Sequence, residues 1–188
     1  MVFFYHISFG QPSRNNPELT LWYDQPASAW EEALPMGNGK TGAMVFGGVP
    51  LERYQLNDNT LWSGYPDPGN NANGPKYLPL ARKAVEEGDY ALAEKYWKKM
   101  QGTYSARYLH MANLFIEFPH ALSQATEYKR SLDLNTAIAD VRYSVNSIQY
   151  RRESFASYPD KVMVIRLTAG KKRSIHFHAW LNSKLRYN

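Results

Sequence analysis

Three strand-like segments follow one another in residues 137–169, which read AIADVRYSVNSIQYRRESFASYPDKVMVIRLTA. Apolar and polar residues alternate over Ala137–Val145, Ile148–Ala156 and Val162–Ala169, and this period of two is typical of β-strands with one buried face. Only short turns separate the segments, at Asn146-Ser147 and at Tyr158-Pro159-Asp160. The stretch therefore predicts consecutive antiparallel strands and excludes a doubly wound α/β fold.

The strand pattern continues on both sides of this stretch. Further strands are predicted over Leu19–Tyr23, Thr41–Gly48, Leu51–Asn57, Leu114–Phe118, Glu127–Asn135 and Ser174–Leu181. Two amphipathic helices interrupt the series, where Gly88 ends the first helix and Asp89 caps the second. Trp97 falls on the apolar stripe of the second helix, which predicts a place in a core. The predicted fold is mainly β, an antiparallel sandwich with a short two-helix insertion.

The composition is that of a folded chain. It has 188 residues, 44% of them hydrophobic and 14% aromatic, with a formal net charge of +5. A chain of this length buries roughly 70% of its unfolded surface, so its core needs no metal or disulfide. The absence of cysteine excludes disulfides and thiolate chemistry. The basic runs are short and no stretch approaches the ~20 apolar residues of a membrane span, so we expect neither a nucleic-acid partner nor a membrane span.

Residues 1–18 are predicted to form a separate N-terminal segment. The apolar MVFFYHISFG precedes the polar QPSRNNP, which fits the remnant of a secretory signal that lacks its basic start. A first strand or a frayed end is the alternative. We expect a periplasmic or extracellular protein of bacterial type.

The known catalytic motifs do not account for this chain. The GNGKTG of residues 37–42 lacks the glycine spacing of a phosphate-binding loop, and a strand follows it, so a tight turn with positive φ is the favoured interpretation. His176 and His178 could share a metal on one strand face, but no third ligand is evident, which favours a solvated face. We expect no metal and no cofactor.

Carbohydrate chemistry is a further candidate. Paired carboxylates would indicate glycoside hydrolysis, but none of Asp24, Glu31, Glu32, Asp58 and Glu117 can be paired from the sequence. Aromatic residues in polar loops suit the C–H faces of sugar rings, and the candidates are Trp30, Trp62, Tyr65 and Tyr104. An aromatic-rich sandwich core explains the composition equally well.

Two long motifs resemble a known family. They span Trp30–Gly48, WEEALPMGNGKTGAMVFGG, and Gln55–Gly64, QLNDNTLWSG, and together they resemble the opening of glycoside hydrolase family 95, whose best-known members are α-L-fucosidases. The similarity continues through Asp89–Glu94, Tyr104–Leu109, Tyr128–Ala137 and Arg152–Asp160.

The resemblance implies an N-terminal β-supersandwich that packs against a large barrel of paired helices. In that family the catalytic acid and the water-activating residues lie in the barrel, and the reaction inverts the anomeric carbon. None of those positions is present here, so no catalytic residue is predicted in this chain. Residues 19–188 are expected to be an N-terminal domain that is incomplete at its C-terminus and inactive alone.

Two interpretations of the motifs stay open. In one, the loops shape the edge of the sugar pocket of the barrel through Trp30, Glu31, Asn57, Asp58, Thr60 and Trp62. In the other, Asn57, Asp58 and Thr60 satisfy turn backbone groups while Trp30 and Trp62 fill the sandwich core. The second is favoured because Asx residues beside strand ends usually form turns.

The predicted function is that of the non-catalytic N-terminal domain of an inverting α-L-fucosidase. Joined to its helical-barrel domain, it would help hydrolyse terminal α-L-fucose from fucosylated oligosaccharides. The alternative is a stand-alone carbohydrate-binding β-sandwich module.

Overall fold

The computed structural model describes residues 19–65, 67–104 and 106–186. The predicted N-terminal segment, residues 1–18, lies outside the described residues. The chain divides into a sandwich unit, formed by the residues up to Thr60 and from His110 onward, and a helical unit, Leu61–Leu109. In chain order the elements are β1 Thr20–Tyr23, β2 Leu34–Gly37, β3 Thr41–Val45, β4 Leu51–Asp58, α1 Gly74–Glu86, α2 Tyr90–Met100, β5 Ala112–Glu117, β6 Thr126–Asp133, β7 Ile138–Val145, β8 Ile148–Ser157, β9 Val162–Ala169 and β10 His178–Asn182.

The strands form two antiparallel sheets. Sheet A has the order β1-β6-β7-β8-β9, and sheet B has the order β10-β5-β4-β3-β2. The predicted fold class is confirmed: the chain is mainly β, with two helices inserted between β4 and β5. Sheet A contains the hairpins predicted from residues 137–169, and Asn146 and Ser147 both have positive φ, as a two-residue type I′ turn requires.

The core of the sandwich lies between the two sheets. Leu34, Val45 and Tyr54 of sheet B are at most 1% exposed and pack with the buried Leu132 and Ala139 of sheet A. Alternation brings these residues together, because every second side chain of a strand points to the same face. The inner face of each sheet is thus apolar, apart from a few buried polar groups described below.

The last strand differs from its prediction. It begins at His178 rather than Ser174, because the side chains of Ser174 and His176 bond back to the turn that precedes them. The Ser174 hydroxyl donates to the carbonyl of Lys171 at 2.8 Å, and Nε2 of His176 lies 3.2 Å from the carbonyl oxygen of Arg173. These contacts replace the backbone ladder of a strand.

The helical unit is a pair of helices with the predicted boundary. Gly88 has a φ of 78°, and the Asp89 carboxylate accepts a hydrogen bond from the Leu92 amide at 2.9 Å. Trp97 is 54% exposed, so its prediction as a core residue is wrong. Its helix has only one buried residue, Ala93. No helix of the described residues is long and apolar enough to cross a membrane.

Candidate functional site

The first motif contains the turn between β2 and β3. The side-chain oxygen of Asn38 accepts hydrogen bonds from the amides of Lys40 at 3.0 Å and Thr41 at 2.9 Å, and Gly39 has a φ of 86°. The Asn38 amide group also donates to the carbonyl of Ser157 at 2.8 Å, which ties this turn to the end of β8. The motif is therefore a tight turn with positive φ, as predicted.

The second motif follows β4 with another Asx turn. The Asp58 carboxylate accepts from the Thr60 hydroxyl at 2.5 Å and from its amide at 2.9 Å, and these bonds hold the pKa of Asp58 below its usual range. Asn59 bonds back to the first turn, since its amide donates to Lys40 at 2.9 Å and its side chain to Gly39 at 3.1 Å. Asp58 and Thr60 thus have the turn-forming role that the second interpretation of the motifs predicts.

Asn57 lies at the rim of a cavity of the sandwich unit. It is exposed and pairs with Gly42 across β3 and β4. The cavity, of about 310 Å³, opens between the sheets beside Asn57 and is lined mainly by apolar side chains such as Met163 and Leu181. Asn57 is therefore accessible to a ligand or a neighbouring domain.

Trp30 and Glu31 lie on a 3₁₀ turn at the surface, Trp30–Glu32. Glu32 stabilises this turn by accepting from the amide of Ser28 at 2.7 Å, from its hydroxyl at 2.9 Å and from the amide of Ala29 at 3.3 Å. The bonds from Ser28 hold the pKa of Glu32 below its usual range. Trp30 is 53% exposed and Glu31 is exposed, so the alternative in which Trp30 fills the core is wrong.

Arg130 anchors the segment that carries Trp30. Its guanidinium is buried and donates to the carbonyls of Gln25 at 2.8 Å and Glu32 at 2.6 Å. The cation also stacks over the ring of Tyr23, 4.0 Å from its centroid. Arg130 therefore fixes the surface turn on sheet A and sets the position of the exposed indole.

Trp62 belongs to the helical unit. Its backbone forms an isolated β-bridge with Tyr108, and their rings meet edge to face at 5.0 Å between centroids. Beside them the Ser63 amide donates to the carbonyl of Arg107 at 2.8 Å. Trp62 is 50% exposed, so the prediction that it fills the sandwich core is also wrong.

A buried ion pair links the two sheets. Arg152 of β8 lies 2.9 Å from the Glu52 carboxylate of β4, and the two side chains are 2% and 0% exposed. Glu52 also accepts from the amides of Gly47 at 2.7 Å and Arg53 at 3.0 Å, and Arg152 donates to the carbonyl of Gly48 at 2.5 Å. Burial raises the pKa of Glu52, against the opposing effect of Arg152.

Polar side chains next to this ion pair are bonded to one another. The Tyr54 hydroxyl lies 2.7 Å from Oγ of Ser154, and burial raises the pKa of that tyrosine. His120 lies against Tyr143, with Nδ1 3.2 Å from the hydroxyl oxygen, and burial together with Arg152 lowers the pKa of His120. These groups are sealed inside the sandwich, which gives them a structural role.

The two histidines considered as metal ligands are not brought together by one strand. His176 lies in the irregular segment before β10, whereas His178 is the first residue of β10 and stacks on Trp180 with ring centroids 5.2 Å apart. Within the described ranges no group of three or more His, Asp or Glu side chains could hold a metal ion.

Three charged residues with defined structural roles belong to none of the predicted sites. Glu52 alternates with Tyr54 along β4, and Arg130 and Arg152 likewise occupy inward positions of their strands. The sequence signal for such a residue is a charge at an inward position of a strand, because a buried charge needs a buried partner. The bonding partners lie at least 98 positions away in each case.

Known proteins resemble this chain over most of its length. The family model described as glycosyl hydrolase family 65, N-terminal domain, matches residues 21–188. The chain is 37% identical to "Alpha-L-fucosidase 2" of Arabidopsis thaliana over 172 residues, which are 90% of this chain and 20% of that protein. It is 35% identical over 164 residues to "Probable alpha-fucosidase A" of Aspergillus niger, covering 80% of this chain and 20% of that protein.

The chain spans about a fifth of the length of the curated relatives it matches. The predicted resemblance to the N-terminal domain of a fucosidase-related glycoside hydrolase is confirmed. The matching family model has the number 65, so the assignment to family 95 stays a prediction. The role of the six motif residues at a sugar pocket also stays a prediction. Because one family model covers nearly the whole chain, the chain belongs to the glycosyl hydrolase family 65 N-terminal domain family.

Proposed function

We propose that this chain is the non-catalytic N-terminal domain of an inverting α-L-fucosidase that removes terminal α-L-fucose from oligosaccharides. The observation that carries the proposal is the 37% identity to Alpha-L-fucosidase 2 over 90% of the chain. That match occupies only a fifth of the relative, which leaves room there for a separate catalytic domain. In this proposal the catalytic domain is a helical barrel, and the sandwich packs against it.

The carboxylates of the chain support a non-catalytic role. Glycoside hydrolysis needs an accessible acid with a raised pKa facing a second carboxylate. Among the described residues, the carboxyl group with a raised pKa is Glu52, which has no exposed surface. Asp140 and Glu153 lie on the outer face of sheet A, but arginine side chains bind both of them. These arrangements suit scaffolding better than acid–base catalysis.

The exposed motif residues support contact with the catalytic domain or its substrate. Arg130 holds the Trp30 turn in place although about half of the indole faces solvent. Fixing a large apolar ring at a surface is useful where it meets another surface or a sugar ring. In the proposal, Trp30 and Glu31 extend to the edge of the sugar pocket.

An activity measurement and a sequencing experiment test the proposal. The purified 188-residue chain should release no p-nitrophenol from p-nitrophenyl α-L-fucoside, and turnover above that of a buffer blank would contradict the non-catalytic role. The genomic region downstream of the chain should encode a helical-barrel segment, in frame or frameshifted. A downstream region without one would contradict the fucosidase assignment.

The alternative function is a stand-alone carbohydrate-binding module. The half-exposed Trp30 and Trp62 favour it, because exposed indoles are suitable platforms for sugar rings. Titration with a fucosylated oligosaccharide should then quench tryptophan fluorescence, and the quenching should be smaller in Trp30→Phe than in the wild type. A wild-type spectrum that does not change on titration would exclude sugar contact at these sites.

We also propose a periplasmic or extracellular location. The apolar start of the chain, which fits the remnant of a secretory signal, supports it. Cell fractionation with an antibody against the sandwich tests the location, and recovery only with cytoplasmic markers would refute it.

A further inference from the structure

A polar depression of about 520 Å³ lies on the outer face of sheet A. Strand register places its residues in rows across the sheet: Trp22 lies opposite Ser131, Ser131 opposite Asp140, and Asp140 opposite Glu153. Every second residue of a strand shares a face, so these side chains line one surface. The volume lies within the range of about 300–1,000 Å³ that small-molecule sites occupy.

Ion pairs hold the floor of the depression in a fixed arrangement. The Asp140 carboxylate accepts from Nε of Arg142 at 2.6 Å and from Nε of Arg151 at 2.5 Å. Arg151 also contacts Glu153 at 2.8 Å, and Arg166 pairs with the same carboxylate. Both carboxylates are nearly buried, whereas the side chain of Arg142 is 50% exposed. The acceptors and donors are thus positioned before any ligand arrives, which lowers the entropy lost on binding.

The charge of the depression favours an uncharged ligand. Three cations and three carboxylates line it, and the cations are Lys129, Arg142 and Arg151. A carboxylate and a guanidinium each have more hydrogen-bonding positions than these ion pairs use. The surface therefore offers closely spaced hydrogen-bond donors and acceptors, with no excess of positive or negative charge. Such an arrangement suits the vicinal hydroxyls of a sugar.

Trp22 adds an apolar platform at the rim. It lies on the edge strand β1 and is 59% exposed, with Nζ of Lys129 5.3 Å from the centroid of its ring system. Indole rings pack against the C–H faces of sugars, and buried area of this kind supplies affinity that hydroxyl contacts alone do not. The hydroxyl groups of Thr20 and Ser131 stand beside it on the same face.

We propose that the outer face of sheet A binds a neutral saccharide. One sugar ring stacks on Trp22, and its hydroxyls bond to Arg142, Asp140 and Ser131. The surface itself does not depend on the fucosidase assignment, whereas the choice of a fucosylated probe rests on the proposed function.

Calorimetric titration of the 188-residue chain with 2′-fucosyllactose, lactose and sialyllactose tests the site. The neutral 2′-fucosyllactose should bind, and Trp22→Ala and Arg142→Ala should each weaken binding about ten-fold, which corresponds to roughly 1.4 kcal/mol. Trp97→Ala is the matched control, because it removes an exposed tryptophan from the helical unit, and it should leave affinity unchanged. Circular dichroism shows whether each variant keeps its fold.

Each outcome distinguishes the site from the proposed function. Wild-type binding lost in Trp22→Ala but kept in Trp97→Ala supports the site. Equal affinity for 2′-fucosyllactose and lactose keeps the site but removes support for fucose recognition. Absence of binding, tighter binding of the anionic sialyllactose, or unchanged affinity in both Trp22→Ala and Arg142→Ala would overturn the proposal.

Discussion

The strongest prediction about stability concerns the buried ion pair between the sheets, Glu52 and Arg152. In Arg152→Met the Glu52 carboxylate, which is 0% exposed in the wild type, loses its counter-ion. Removing one partner of a buried pair typically destabilises a protein by about 3–5 kcal/mol. Because 1 kcal/mol shifts the Tm of a chain of this size by roughly 2–4 °C, Tm should fall by about 10 °C.

A double-mutant cycle separates the charge effect from lost packing. Glu52→Gln keeps a side-chain oxygen that can accept from the amides of Gly47 and Arg53, but it carries no charge. The double variant Glu52→Gln/Arg152→Met should therefore be more stable than Arg152→Met alone. Arg166→Met is the matched control: the Arg166 side chain is 62% exposed and Glu153 keeps Arg151 as a partner, so the loss of this ion pair should change stability by no more than about 1 kcal/mol.

The stability deficit of Arg152→Met should also depend on pH. Burial raises the pKa of Glu52, so the folded chain takes up a proton at a pH where the unfolded chain is ionised. Lowering the pH through that window favours the folded state, and removal of Arg152 strengthens the effect. The deficit should thus be smaller near pH 5 than near pH 8.

Urea unfolding followed by tryptophan fluorescence measures all five proteins at both pH values: the wild type, Glu52→Gln, Arg152→Met, the double variant and Arg166→Met. The reasoning is refuted if Arg152→Met is no less stable than Arg166→Met. It is also refuted if the double variant loses the sum of the two single losses, because the two side chains would then be independent.

The remaining predictions concern other parts of the sandwich. Arg130→Met removes two hydrogen bonds from a buried guanidinium to backbone carbonyls and should destabilise the chain by roughly 2–4 kcal/mol, with new proteolytic cleavage near Trp30 as the specific readout; cleavage unchanged from the wild type would contradict the anchoring role. His120→Phe should flatten the pH dependence of stability: the lowered pKa of His120 means that the folded state is stabilised above pH ~6.5 and loses stability as the pH falls below it. The same slope in urea titrations of His120→Phe and wild type would argue against this. Gly39→Ala should lower stability by about 1 kcal/mol: its φ of 86° is unfavourable for alanine, and an added Cβ meets no neighbour, so the loss would be conformational. Gly74→Ala in α1 should be neutral or stabilising, and equal Tm values for the two variants would refute the conformational argument.

Local patterns were sufficient to predict most elements of the fold. The exceptions are β2, Leu34–Gly37, which was not among the predicted strands, and β10, which begins later than predicted. The strand Val162–Ala169 has the predicted bounds, and the hairpin turn at Asn146-Ser147 has the positive φ angles that its residues favour. The break between the helices occurs at Gly88 and Asp89 as predicted. Each of these features depends on residues fewer than about ten positions apart, so the sequence pattern reports it directly.

The exposure of aromatic residues could not be predicted in this way. Trp97 follows an apolar helical stripe, yet more than half of its surface is accessible, and Trp30 and Trp62 are about equally exposed. An apolar stripe indicates that a residue can be buried, but burial requires a neighbouring element, and the local sequence does not say where that element lies.

By itself, the sequence determined the mainly antiparallel architecture, the position of the two-helix insertion and the turn-forming character of the first motif, because all three arise from short-range periodicity and turn chemistry. Only the tertiary structure decided that Glu52 meets Arg152 across the two sheets and that Arg130 holds the Trp30 turn. It also placed Trp22, Asp140 and Arg142 around one depression, through a strand order in which β1 pairs with β6. Pairing between distant segments is set by the burial of both sheet faces at once, and that quantity exists only in the folded chain.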